Sequence, residues 1–148
     1  MTVPTEADFM IVKPGIGTSP VVYNAICGIE NVSINKTVSA TDRYRRDCAT
    51  LGLPAIRKNV ITGKAMTVSA NGAANVSNIS VFETLLGIVK PYKIELYSRD
   101  GTDTGALIGT YAGNFVMVTD NVSTDPNGNS SGEIALNSDG AWTYTAAS

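Results

Sequence analysis

Residues 35–59 read NKTVSATDRYRRDCATLGLPAIRKN, and residues 60–70 continue VITGKAMTVSA. The first segment, Asn35–Asn59, is too polar for a core and too long for an ordinary turn, since loops beyond roughly 12–15 residues in a compact domain are usually functional or disordered. The second places Val60, Ile61, Thr62, Thr67 and Val68 in a run that suits a pleated, half-buried surface. Together they predict a long charged loop anchored on a β scaffold. Lys36, Arg43, Arg45, Arg46, Arg57 and Lys58 meet only Asp42 and Asp47 there, a balance of +4 within a chain of net charge −2. The remainder therefore carries −6. A basic loop on an acidic body suits the docking of one copy on another, so these eight charged residues are candidate inter-subunit contacts. A nucleic-acid-binding loop is the rival reading, and it has Tyr44 alone as a stacking aromatic.

Outward from this stretch, the chain reads as short apolar segments broken by turns. Residues 1–8 form a polar N-terminal arm expected to be flexible, and Phe9–Lys13 is an apolar strand. Pro14–Pro20 is a turn whose glycines lack the Gly-Lys-Ser/Thr of a phosphate loop. Val21–Gly28 and Ile29–Asn35 read as two strands, and Val32 and Ile34 alternate with Asn31, Ser33 and Asn35 as on a half-buried sheet. One helix is expected over Ile79–Leu86. Ser80 and Glu83 have capping-box spacing, Ile79, Phe82, Leu85, Leu86 and Val89 share a face, and Gly87 and Pro91 end it. Tyr92–Arg99 alternates cleanly, Asp100–Gly105 is a turn, Ala106–Val122 is a long or doubled strand, and Ser123–Gly132 is a polar loop. Glu133–Ser138 and Ala141–Thr145 read as a closing hairpin about Asp139-Gly140, a pair suited to a type I′ turn. Seven to nine strands and one helix predict a mainly β domain, a sandwich or barrel with a flanking helix.

The composition narrows the chemistry. The chain has no histidine, which excludes Ser-His-Asp and Cys-His nucleophilic arrangements and disfavours a closed zinc site. Cys27 and Cys48 are expected as reduced, buried thiols, with a disulfide between them as the alternative. Asp103-Thr104-Gly105 matches the tripeptide of aspartic proteases, but the polar lead-in Arg99-Asp100-Gly101-Thr102 predicts a solvated turn. That turn lacks the ligand run of a calcium loop. Sequons at Asn31, Asn35, Asn75, Asn78, Asn121 and Asn129 reflect Asn- and Ser-rich composition in a chain with no apparent export signal. No apolar run approaches the ~20 residues of a membrane helix. No catalytic set, cofactor or metal is expected.

The order of features resembles a tail tube protein of a long-tailed bacteriophage. The residues that carry the resemblance are the charged loop ending in Arg57-Lys58, the strand Thr62–Ser69, the helix Ile79–Leu86, the strand Ile94–Tyr97 and the closing segment Gly132–Gly140. It covers most of the chain from about Val21 and treats residues 1–148 as a single domain. It implies a β-barrel-like structural virion protein, assembled in the host bacterial cytoplasm into stacked hexameric rings that form the tail tube. The loop and the terminal arm would reach neighbouring copies, and tape measure and tail terminator proteins would be partners. Double-stranded DNA would pass through an acidic lumen without specific binding during ejection. Candidate lumen carboxylates are Glu95, Asp100, Asp103, Glu133 and Asp139. The alternative is a virion decoration or adhesion β-domain acting as a binding module.

Overall fold

The computed structural model describes residues 6–17, 20–26, 28–73, 76–128 and 130–147. Among them, seven strands and one helix follow in order: β1 (Phe9–Ile16), β2 (Val22–Tyr23), β3 (Ile29–Arg45), β4 (Ile56–Ala73), α1 (Val76–Leu85), β5 (Val89–Ser98), β6 (Ala106–Ser123) and β7 (Ser131–Ala146). Every ladder is antiparallel, and the strand order is β2-β1-β5-β6-β7-β4-β3. The sheet curls until β1 packs beside β3 without a ladder between them, which gives an incompletely closed barrel.

Period-two alternation fills that barrel. Met66, Val68 and Ala70 of β4, Tyr92 and Ile94 of β5, Phe115 and Met117 of β6, and Ile134 and Leu136 of β7 are all buried, with Val12 from β1. The helix adds Phe82 and Leu85 to the same cluster. Gly87, at φ +76, ends the helix, and its amide donates to the Met117 carbonyl at 2.8 Å. The αL residue thus ties the helix end to β6.

Four expectations change. Asn35–Asn59 is not a loop: β3 and β4 run through it as one long hairpin, leaving only Arg46–Ala55 outside strands. Its pattern hid this because a two-stranded ribbon with both faces in water needs no apolar alternation. The closing segment is not a hairpin either. Strand β7 runs on through Asp139-Gly140, and Asp139–Ala141 bulges opposite Asn114, where the pairing passes from Phe115–Ser138 to Gly113–Trp142. Gly140 does take positive φ, at +103, but it serves a bulge rather than a reversal. The helix begins at Val76, so Ser80 and Glu83 lie inside it and form no capping box. Ile79, Leu86 and Val89 of the expected apolar face are exposed. Finally, among the described residues of Val21–Gly28 the only strand is the two-residue β2. Residues 1–5 of the N-terminal arm, Cys27, Asn75 and Asn129 lie outside the described residues.

One core residue is chemically odd. Tyr92 is fully buried, packs edge-on to Phe115 with ring centroids 6.0 Å apart, and its hydroxyl has no hydrogen-bond partner. Burial pushes that phenol up to about 12. An unsatisfied buried hydroxyl carries a desolvation cost of about 1–3 kcal/mol. Tyr92→Phe should therefore raise the urea midpoint by the equivalent of about 1 kcal/mol at constant m-value. A comparable loss of stability would show that the hydroxyl is satisfied in solution.

Candidate assembly surface

The β3–β4 hairpin divides into two parts. From Ile29 to Asn35 it belongs to the barrel, because β4 also pairs with β7 from Thr67–Asn137 to Ala73–Ser131. Beyond Thr67 that second ladder stops, and the Met66 amide instead donates to the Ser138 hydroxyl oxygen at 3.0 Å. From there to Arg45 and Ile56 the two strands pair only with each other and form an arm. A bulge marks its base, where pairing shifts from Ser39–Gly63 to Ala40–Ile61 and leaves Thr62 over. The Thr62 hydroxyl donates to the Ser39 carbonyl at 3.1 Å. Bulges bend and twist the strand that holds them, so this one sets the direction of the arm. Lys36 braces its root, donating to the Tyr111 hydroxyl at 2.8 Å and lying 4.7 Å from the centre of that ring.

Cross-strand partners share a face, which sorts the arm's charges. On one face Arg43 stands directly opposite Lys58, with Arg45 next along the strand. Like charges placed opposite each other are unfavourable within the copy. On the other face Asp42 and Arg57 form an ion pair at 3.1 Å, and the Arg57 Nε also donates to Asn59 at 3.2 Å. Both partners are largely solvated, so the pair contributes at most about 1 kcal/mol. Arg46 and Asp47 sit in the turn, where the Asp47 carboxylate accepts from the Ala49 amide at 2.9 Å. Cys48 is free and exposed in the same turn, contrary to the expected burial. The eight candidate contact residues thus fall on one projecting element, but only Arg43, Arg45 and Lys58 make its basic face.

Sequence reading missed the arm's apolar side chains. Val38, Tyr44, Leu51, Leu53, Ile56 and Ile61 are all more than half exposed, Ile56 at 73%.

The candidate lumen carboxylates are dispersed. Glu95, on the outer face of β5, forms an ion pair with Lys13 at 2.8 Å and accepts a hydrogen bond from the Tyr97 hydroxyl. Burial acts to raise its pKa, but the hydrogen bonds from Lys13 and Tyr97 and the charges of Lys13 and Lys93 outweigh that and hold it below the usual value. A depressed folded-state pKa contributes stability above the unfolded value, and that stability is lost as pH falls through the folded one. Glu95→Gln should therefore flatten the acid limb of a stability–pH profile while leaving the curve above pH ~6 parallel to that of the parent. An unchanged acid limb would show that Glu95 is not a coupled group. Tyr97 is pushed up to about 12, first by its hydrogen bond to Glu95 and then by burial. Asp100 and Asp103 lie exposed in the β5–β6 turn, where hydrogen bonds from Thr102 hold Asp100 below its usual value. Asp139 is exposed in the β7 bulge, and Glu133 stands on the outer face of β7.

Along the ladders, the arm turn lies at the same end as the β5–β6 turn. The β6–β7 turn, with Asp120, Asp125 and Glu133, lies at the other. Asp120 is raised there, by burial and then by the nearby charge of Glu83 on α1. The arm end carries basic and apolar side chains together with Asp100 and Asp103 of the β5–β6 turn, and the other end is mainly acidic.

The outer face of four barrel strands is also distinctive. Across it run Asn31, Ser33 and Asn35 of β3, then Asn71, Ser69 and Thr67 of β4. Glu133, Ala135 and Asn137 of β7 follow, then Asn121 and Thr119 of β6. An Asn31–Asn71 side-chain hydrogen bond of 3.0 Å confirms the shared face. Among the described residues, no group of His, Cys, Asp and Glu could hold a metal, and no helix is long and apolar enough to cross a membrane.

No family model matches the sequence, and no curated protein matches it. Solved structures do match the fold along nearly the whole chain. A chain from the tail of an empty gene transfer agent particle, refined with C6 symmetry, gives a TM-score of 0.65 at 16% identity, covering 97% of this chain and 100% of that one. A chain from the sheath–tube complex of the PVC extracellular contractile injection system gives 0.66 at 16% identity, covering 97% and 93%. The SPP1 tail tube gives 0.63 at 9% identity, covering 97% and 80%. At these identities the likeness establishes the fold, which is the one found in tail and tube assemblies.

Proposed function

We propose that this chain is the structural subunit of a phage-like tail tube. As a single domain it would join in hexameric rings that stack into a hollow conduit for DNA ejection, located in the virion tail and assembled in the host cytoplasm. The observation that supports this reading is the fold match over 97% of the chain to a tail refined with sixfold symmetry. Terminator and cap structures with the same fold, at TM-scores of 0.64 and 0.65, make end-capping proteins fitting partners. A tape measure protein within the tube follows from the same reading. No catalytic role is needed.

The ladders suit ring closure. Strand β3 pairs only with β4, and β6 beyond Met117 pairs only with β7. These two open edges bound the segment β6–β7–β4–β3 and run in opposite directions. Edge-to-edge pairing of copies therefore continues the antiparallel order. The arm then reaches the next ring, its Arg43, Arg45 and Lys58 face meeting the Glu83, Asp120 and Asp125 end of the copy there.

Negative-stain microscopy of the purified protein tests the proposal. Hollow tubes or rings are expected. A protein that stays monomeric or trimeric at high concentration would defeat it and favour a decoration or adhesion module.

A further inference from the structure

We propose that Asn127-Gly128, in the β6–β7 turn, is a self-modifying site, where the Asn127 carboxamide is lost as ammonia and an aspartate or isoaspartate carboxylate takes its place. The sequence holds two Asn-Gly pairs, Asn71-Gly72 and Asn127-Gly128. Glycine at the second position lets its backbone nitrogen swing onto the preceding side chain, because no Cβ stands in the way. Asn71 and Asn127 are both exposed, so exposure does not separate them. Their backbones do.

Asn71 and Gly72 lie in β4 with ladders on both sides, paired to Asn31 and Ile29 of β3 and to Glu133 and Gly132 of β7. The Asn71 carboxamide oxygen also accepts from Asn31 at 3.0 Å. Turning the Gly72 nitrogen onto Asn71 would break the sheet between its partners. Asn127 and Gly128 lie outside the strands. Two bonds to Asp125 restrain them: its carboxylate accepts from the Asn127 amide at 3.0 Å, and its carbonyl accepts from the Gly128 amide at 3.2 Å. Bonds in an exposed turn open at little cost.

The chemistry balances with water alone. Hydroxide removes the Gly128 amide proton, and the nitrogen attacks Asn127 Cγ. The Cγ–Nδ2 bond then breaks, and ammonia leaves with a proton from water. Water opens the resulting succinimide at Cγ to give aspartate, or at the α-carbonyl to give isoaspartate. One water enters for each ammonia lost, and nothing is oxidised or reduced. Asp100-Gly101 and Asp139-Gly140 react more slowly by the same route, since a carboxylate repels the nucleophile and must gain a proton before it can lose water. The product places a new carboxylate two residues from Asp125, at the end that also carries Asp120 and Glu133, and takes the net charge from −2 to −3. The turn thus grows more acidic as a copy ages.

The folded protein, held at mildly alkaline pH and sampled over weeks, tests this. Chymotrypsin is used for mapping, because Arg99 is the last basic residue and trypsin leaves residues 100–148 uncut. Mass spectrometry locates each conversion, and isoaspartyl methyltransferase counts the isoaspartate. Asn127 is expected to convert while Asn71 stays intact, and in urea both pairs should convert at similar rates. Gly128→Ala should slow the reaction by about tenfold or more. The added Cβ first meets the Asp125 carboxylate, at 2.9 Å, a side chain free to move, so the variant keeps its fold. Asn127 that stays intact in the folded protein over the time that converts it in urea would overturn the proposal. So would Asn71 keeping pace with Asn127 in the folded protein, or an undiminished rate in Gly128→Ala.

Discussion

Reversing Arg43, Arg45 and Lys58 to glutamate should abolish tube growth at concentrations where the unaltered protein is expected to polymerise, while each copy stays folded. All three cations lie on one face of the arm, and Arg43 stands opposite Lys58 with no carboxylate directly between them. They are thus unpaired within the copy and available to another. If each meets acidic surface in the next ring, the loss is on the order of 1 kcal/mol or more per pair, with like-charge repulsion in addition. Three such losses, about 3 kcal/mol, correspond to roughly a hundredfold weaker association at each step. Beyond Met66 at its root the arm contributes nothing to the buried cluster, so the thermal midpoint should move by no more than a few degrees. Sedimentation and calorimetry read the two effects separately. Unchanged tubes at moderate salt would mean that the arm is only solvated surface.

The opposite dissociation is expected of Phe115→Ala, which should cost about 3–5 kcal/mol of folding stability. Phe115 is fully buried, meets Tyr92 edge-on, and stands beside the bulge where β7 gains its extra residues. That backbone is held by its ladders on both sides, so the cavity collapses little. Against a total of about 5–15 kcal/mol, the loss is a large share of what holds the subunit together. Denaturant unfolding should show the midpoint drop at constant slope, and assembly should fail through loss of folded subunits. A cost below about 1 kcal/mol would mean that the site repacks.

What the sequence disclosed follows from where water lies. Tyr92, Ile94, Ile134 and Leu136 alternate with polar residues because one face of each strand is wet and the other dry, and that pattern is local. Strand β6 was legible as a long β-prone run, with apolar residues on both faces rather than in clean alternation. The arm was not, since both its faces are solvated and nothing forces alternation on it. Asp139-Gly140 misled because a left-handed glycine serves a bulge as well as a turn, and only the partner strand distinguishes them. Similarly, Ser80 and Glu83 sit at cap spacing by coincidence within a helix that starts one turn earlier. The charged residues of the candidate surface were all visible in sequence. Their division between two faces was not, because it depends on a one-residue shift at Thr62.

Strand β3 is seventeen residues long and has a partner on one side only. In a free copy this is a template for indiscriminate pairing, the route by which β proteins form fibres. Two such edges meeting in parallel and in register would bring Arg43 and Arg45 beside their own counterparts, and the repulsion discourages that union. The cations that would hold ring to ring would thus also act as gatekeepers against pairing with the wrong edge.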